Sequence, residues 1–429
     1  MRYIPLDNSI YKRNRLNFMD QMKGNCMAIF NSNDIYPVSA DSELPFAQHR
    51  DMFHLAGIDQ EETILILYPS SKDSKTREIL FIRRSDEHTK IWEGDKLSKD
   101  LASKLSGIES IHFVEDFKNI LHLITSKVDT FYINKNEHYR ANSPVETRED
   151  RFISWLIKKY PAHKVAKSNP ILQRLRSIKH IDEIDQIRKA CQITKKGFNR
   201  VLKFIKPGVW EYQIEAEFIH EFINNSSKGF AYSPIIASGQ DNNVLHYVKN
   251  NKQCKDGELI LMDVGAEYGN YSSDMTRTIP VSGHFSKRQK EIYNTVLRVK
   301  NEATKLLTVG NNWKNFHDQV GEIMTKELLD INLLDKADIK NQTKKNPAYK
   351  KYFMHGTSHH LGLDTHDYGL LDDLFQENMV FTVEPGIYIP EEGFGVRLED
   401  DVVIQTKGEP INLMEDIPIE TDHIEELMN

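Results

Sequence analysis

The sequence predicts an α/β (α+β) protein of two domains, a smaller one followed by a larger. Three observations lead there. At 429 residues the chain is too long for one ordinary hydrophobic core. Its first part alternates short runs rich in Ile, Phe and Tyr with helical ones. Beyond it the texture changes to long amphipathic helices followed by strands, and that order occurs twice. The domains are placed at residues 1–172 and 173–429.

In the first domain, residues 26–30, 63–68, 78–82 and 130–134 read as buried strands. Between them, residues 98–108 and 116–127 carry helical periodicity. In the second, residues 180–206 set Ile184, Ile187, Ala190, Ile193, Phe198 and Leu202 on one helix face, and Lys206-Pro207-Gly208 stops it. A second helix over 210–225 leads into strands at 233–239, 259–268 and 276–282. The order then recurs, with helices at 286–310 and 311–329 and strands at 377–389 and 393–408. With Gly208 aligned to Gly310, Ile214 falls on Phe316 and Phe218 on Val320. That pattern predicts two related halves around a β-sheet core.

Composition narrows the partners. The chain is 39% hydrophobic and 28% charged, with a net charge of -7, which gives no net attraction to nucleic acid or to an anionic membrane. The three cysteines, Cys26, Cys191 and Cys254, are widely spaced, which argues against a disulfide framework or a thiolate zinc site. The start of the chain has no apolar segment of signal-peptide length, and no run approaches the roughly 18 apolar residues of a membrane span. The expected compartment is the cytoplasm.

The chemistry begins with aspartates. Asp263 interrupts the apolar run 259–264, and Asp274 follows past a turn at Tyr268-Gly269-Asn270. A hairpin centred on that turn puts the two nearly opposite each other, with Cβ atoms about 4.5–5.5 Å apart. Carboxylates that close need a cation between them; a polar hairpin with surface aspartates is the alternative. Glu384 ends the next apolar run, before Pro385. A strand through Val396, Leu398 and Asp400 would aim Arg397 and Glu399 at one face. Of 17 histidines, four (His355, His359, His360 and His366) lie within residues 353–367. His355 and His359 are four apart, but the helical zinc-protease motif needs Glu after the first, and Gly356 stands there. Asp263, Asp274, His359, Glu384 and Glu399 together make an oxygen-rich set whose charge two divalent cations would offset. Such a set suits manganese or cobalt, with zinc or iron also compatible. Spacing alone does not single out these five.

The ordered series "VLHY", "DVGAEY…YSSDMTRT", "HGTSHHLGLDTHD", "TVEPGIY" and "GVRLEDD" resembles the pita-bread metallopeptidases, and within them the aminopeptidase P family of Xaa-Pro aminopeptidases. Through "LPFAQHRDMFHLAGI" and "KIWEGDKL" the first domain is similar to that family's creatinase-type N-terminal domain. The resemblance implies a dinuclear-metal exopeptidase that cleaves between an N-terminal residue and a following proline, using a metal-bridging hydroxide. It implies Asp263 as ligand to one ion, Asp274 and Glu399 as bridges, and His359 and Glu384 on the second ion. Two divalent ions per subunit are implied, manganese first and cobalt or zinc after it.

The same resemblance implies Glu384 as general acid–base and His355 as partner of the developing oxyanion. His246, His366, Arg397 and Tyr388 would bind substrate, and His360 receives no role. A homodimer or homotetramer acting on peptides with proline in second position is implied, with neither nucleic acid nor membrane as partner. An Xaa-Pro dipeptidase (prolidase) shares these ligands and remains the alternative reading. A non-catalytic peptide- or protein-binding relative is a remote third; it would be expected to have lost ligands, and none is missing.

Overall fold

A computed structural model describes residues 2–141 and 143–429. The chain divides into two compact units, Pro5–Arg176 and Ser177–Asn429, the latter joined by the first residues up to Ile4.

The first unit is built on a six-stranded mixed sheet. Its order is Ser110–Phe113, Glu78–Ile82, Ile64–Leu67, Cys26–Asn31, Thr130–Ile133, Lys164–Lys167. The inner strands are buried on both faces, which is why they read as unbroken apolar runs. Ala28, Phe30, Leu65 and Leu80 enter one core, while Met27, Ile29, Ile66 and Phe81 enter the other. The two edge strands gave no such signal, because Ser110–Phe113 is only partly buried and Lys164–Lys167 largely exposed. The opening helix, Asn8–Gln21, was equally hidden. Its inner face includes Arg15, fully buried, whose guanidinium donates to Leu55 O, Ser106 O and Glu78.

The second unit repeats one plan. Helices Ile181–Phe204 and Glu211–Asn224 precede an antiparallel sheet of Ile235–Ser238, Leu259–Val264 and Met275–Pro280. Helices Lys287–Leu306 and Trp313–Asp330 precede a second sheet, in which Val380–Val383 pairs with Asp400–Val403. Gly208 and Gly310, at φ 93° and 88°, turn the chain before the second helix of each pair. Ile214, Phe316, Phe218 and Val320 are all buried, as the alignment of the halves requires.

Two expectations about the strands change. Asp263 pairs with Thr276 and Val264 with Met275, so the hairpin turns between Gly269 and Asn270, where Asn270 has φ 68°. Asp274 is therefore not opposite Asp263 but two residues along, diagonal to it on the same face. The strands pinch there, since a Cβ on Gly265 would lie 1.8 Å from Ser273 O. Residues 393–408 are also not one strand. Phe394–Arg397 pairs with Gly386–Ile389, whereas Asp400–Val403 pairs with Val380–Val383, so the chain changes sheets at Leu398 and Glu399. Among the described residues no helix is long and apolar enough to cross a membrane.

That change of sheet makes the seam between the halves. The Glu399 N–H donates to Thr276 O at 3.0 Å, and the Thr278 hydroxyl donates to Arg397 O at 3.0 Å. Beneath it, Asp400 is buried between Arg277 (2.7 Å) and Lys300. Burial opposes its ionisation, but the two cations hold its carboxyl well below the usual range. Asp400→Ala would strand two buried cations, so it is expected to cost about 3–5 kcal/mol. A urea unfolding series checks this, read from the midpoint at unchanged slope.

Candidate metal centre

The first half contributes two carboxylates and the residue that joins them. Asp263 closes the Leu259–Val264 strand on the face shared with Asp274. The Tyr232 hydroxyl stands between them, 2.6 Å from Asp263 Oδ1 and 2.5 Å from Asp274 Oδ1. Asp263 Oδ2 accepts from Arg397 Nη2 at 2.5 Å, a bond across the two halves.

The second half supplies the rest. Residues around His359 lie along the Val380–Val383 strand: His359 N–H donates to Thr382 Oγ1 and His359 O accepts from Thr382 N–H. This strand-like alternation separates the neighbouring histidines. His359 turns to the carboxylates, with Nε2 3.5 Å from Asp274 Oδ2 and 3.6 Å from Glu384 Oε1. His360 turns into the core against Trp313 and Phe381, where burial pushes its imidazole down to about 3. Glu384 stands where the strand breaks before Pro385, its N–H donating to Thr357 O at 2.8 Å. Glu399 accepts from Thr276 Oγ1 at 2.7 Å.

The structure brings Asp274, His359 and Glu399 together most closely, with ligand atoms all within 4.8 Å of one another. Glu384 adjoins them, while Asp263 is turned toward Tyr232 and Arg397. Of the other predicted residues, Tyr388 accepts from Arg397 Nη1 at 3.0 Å and lies 2.7 Å from His355 Nε2. His355 Nδ1 is 2.8 Å from Gly356 O. A carbonyl only accepts, so the proton sits on Nδ1, and Nε2 accepts from the Tyr388 hydroxyl. His366 meets the His359 ring edge-on, centroids 4.3 Å apart. His246 is exposed, and its charge acts on His355. Tyr232 and Thr276 had no mark in the sequence, because their part depends on which strands meet.

Electrostatically the cluster is short of positive charge, even with Arg397 2.5 Å from Asp263. Burial, then Asp263, pushes the Asp274 carboxyl well up; burial, then Asp274 and Glu384, does the same to Glu399. Glu384 is pushed up to about 7, chiefly by burial, against the pull of His359 and Arg397. His355 is pushed down to about 3 by burial first and by Arg397 next, and is neutral at physiological pH. Buried carboxylates that resist ionisation, with one imidazole among them, fit divalent cations that prefer oxygen and accept nitrogen.

Comparison with known proteins agrees. The profile of metallopeptidase family M24 matches residues 185–406. The chain belongs to that family. The profile of the aminopeptidase P N-terminal domain matches residues 11–132, so the likeness to aminopeptidase P read from the motifs extends to both domains. The chain is 32% identical to the Xaa-Pro aminopeptidase of Escherichia coli, over 97% of each chain. It is also 32% identical to human Xaa-Pro aminopeptidase 3, over 92% of this chain and 79% of that one. Zinc-substituted Escherichia coli aminopeptidase P in complex with product superposes with a TM-score of 0.89 at 30% identity, covering 99% of each chain. Proline aminopeptidase P II from Yersinia pestis gives the same values. This M24 member is thus a hydrolase of the metal-dependent aminopeptidase class, with the two-domain pita-bread architecture.

The raised carboxyls carry a consequence for stability. In the metal-free folded protein they hold protons that the unfolded chain has already released, so stability falls as pH rises from the ordinary carboxyl range near 4.5 through about 7. Chelator-treated protein should show a Tm that declines between pH 5 and pH 8. Added manganese should raise Tm more at pH 8 than at pH 5, because ligand binding stabilises the folded state by mass action. A metal effect of equal size at both pH values would count against a carboxylate centre.

Proposed function

We propose that this enzyme is an Xaa-Pro aminopeptidase. The observation that carries the reading is the convergence of Asp274, His359 and Glu399, adjoined by Glu384 and Asp263, in a chain similar to Xaa-Pro aminopeptidases over nearly its whole length. These five side chains would hold two divalent ions, manganese foremost, with cobalt or zinc as substitutes. When bound, the ions supply a water of lowered pKa and polarise the scissile carbonyl.

The chain's own residues do the rest. A Glu384 carboxylate takes the attacking water's proton and passes it to the departing proline nitrogen. Arg397, buried and fixed by Asp263 and Tyr388, presents a cation to the carbonyl beyond the scissile bond, with His246 and His366 beside it. An Xaa-Pro amide has no N–H, so a site that makes no demand for a donor there accepts proline. His355 can donate to the developing oxyanion only with its proton on Nε2, which requires the Tyr388 hydroxyl to turn away. Tyr388, whose hydroxyl donates to His355 Nε2, lines the site.

Cys26, Cys191 and Cys254 are buried free thiols, which fits a reducing cytoplasm.

With manganese added, an Arg-Pro-Pro peptide should lose only its first residue. Cleavage of a Gly-Pro dipeptide alone would make the enzyme a prolidase instead. Chelation should abolish turnover and manganese restore it. Glu384→Gln should lower kcat by roughly 10²- to 10⁴-fold.

A further inference from the structure

The second unit opens with a segment that the proposed chemistry leaves unused. Residues 177–180 run past the start of the second sheet, where Ile178 bridges Met379 and Lys179 N–H donates to Asn378 O at 3.0 Å. With its backbone pinned there, Lys179 turns its side chain inward. Its Nζ lies 3.0 Å from Asp367 Oδ2, and both side chains are buried. Lysine is almost never buried without a partner, and taking two charges out of water costs about as much as their attraction returns. Stability alone is therefore a weak reason for this pair.

Its place in the chain supplies a better one. Asp367 directly follows His366, and the two point opposite ways. His366 is exposed, its ring edge-on to that of His359, whereas Asp367 is buried against Lys179. The chain from His360 to Asp367 doubles back on itself: Asp367 N–H donates to His360 O at 2.9 Å, and Ser272 N–H donates to Gly362 O at 2.8 Å. Gly362 leaves the space that the pair occupies, since a Cβ there would overlap Asp367 Oδ2 and press on Lys179 Cε. The loop's return is thus held by a backbone bond and a buried ion pair, and His366 stands at the held end. We infer that Lys179 is a positioning residue, which by holding Asp367 sets His366 over His359 for its contact with substrate. The inference rests on the Xaa-Pro aminopeptidase reading, which gives His366 that contact, and adds the residue that fixes it.

The test is a double-mutant cycle on the manganese-loaded full chain with an Arg-Pro-Pro peptide. Lys179→Met alone would strand a buried carboxylate and threaten the fold, so the variant used is K179M/D367N, which removes both charges. It should lower kcat/KM by roughly 10- to 100-fold, the scale of a small misplacement of a substrate-positioning group. In an H366A background the same two changes should cost no more than about twofold, because their effect runs through His366. Manganese affinity should be the same with and without K179M/D367N, which separates His366 from the neighbouring ligand His359. An equal loss in both backgrounds, no loss in either, or a fall in manganese affinity that accounts for the loss would each overturn the inference. If the wild type cleaves no Xaa-Pro peptide, or H366A cleaves it at the wild-type rate, the reading of the site has failed and the role of Lys179 falls with it.

Discussion

Carboxylates repel, and the repulsion strengthens as water is removed from between them. This protein nevertheless collects Asp263, Asp274, Glu384 and Glu399 in one place and buries two of them almost completely. Much of the surrounding structure can be read as the means of tolerating that. The Tyr232 hydroxyl lies between the two aspartates, Thr276 donates to Glu399, and Arg397 reaches across to Asp263. Those bonds soften the repulsion without cancelling it, as the raised Asp274, Glu384 and Glu399 carboxyls record. What remains is a deficit of positive charge that divalent ions fit.

The supporting layer obeys the same demand. A cluster under repulsion holds its shape only on backbone that cannot spread, and here the strands are locked on both sides. Gly265 lets the first hairpin pinch, and the Arg277–Asp400–Lys300 network anchors the strand that follows Glu399. His359 is fixed from behind, its Nδ1 2.9 Å from His360 O, so the other ring nitrogen is the one offered to the site.

The sequence made the local part of this legible. Asp263 inside an apolar run, Glu384 before a strand-breaking Pro385 and the helix pairs opened by Gly208 and Gly310 all follow from nearest-neighbour patterns. What it hid was long-range. The hairpin register depends on Asn270 adopting a left-handed turn, and one residue's shift in that centre moves Asp274 from opposite to diagonal. The change of sheet at Leu398 and Glu399 follows from pairing with Gly386–Ile389 on one side and Val380–Val383 on the other, which alternation within the segment does not carry, so alternation alone read it as one strand. The roles of His359 and His360 differ only by the alternation of an extended segment that the glycines around it masked. Tyr232 and Thr276 are ordinary residues until the strands that carry them meet.

The proposed ligands are divided between halves that meet at the Thr276–Glu399 seam. Asp263 and Asp274 are synthesised before the Lys287–Leu306 helix begins, and His359, Glu384 and Glu399 after it ends. A growing chain therefore carries two acidic residues for much of its synthesis before anything can share them with a cation. The complete ligand set exists only once residue 399 has been added and the second sheet has closed on the first. If the five side chains hold metal as proposed, their complete set forms only after both halves have folded and docked.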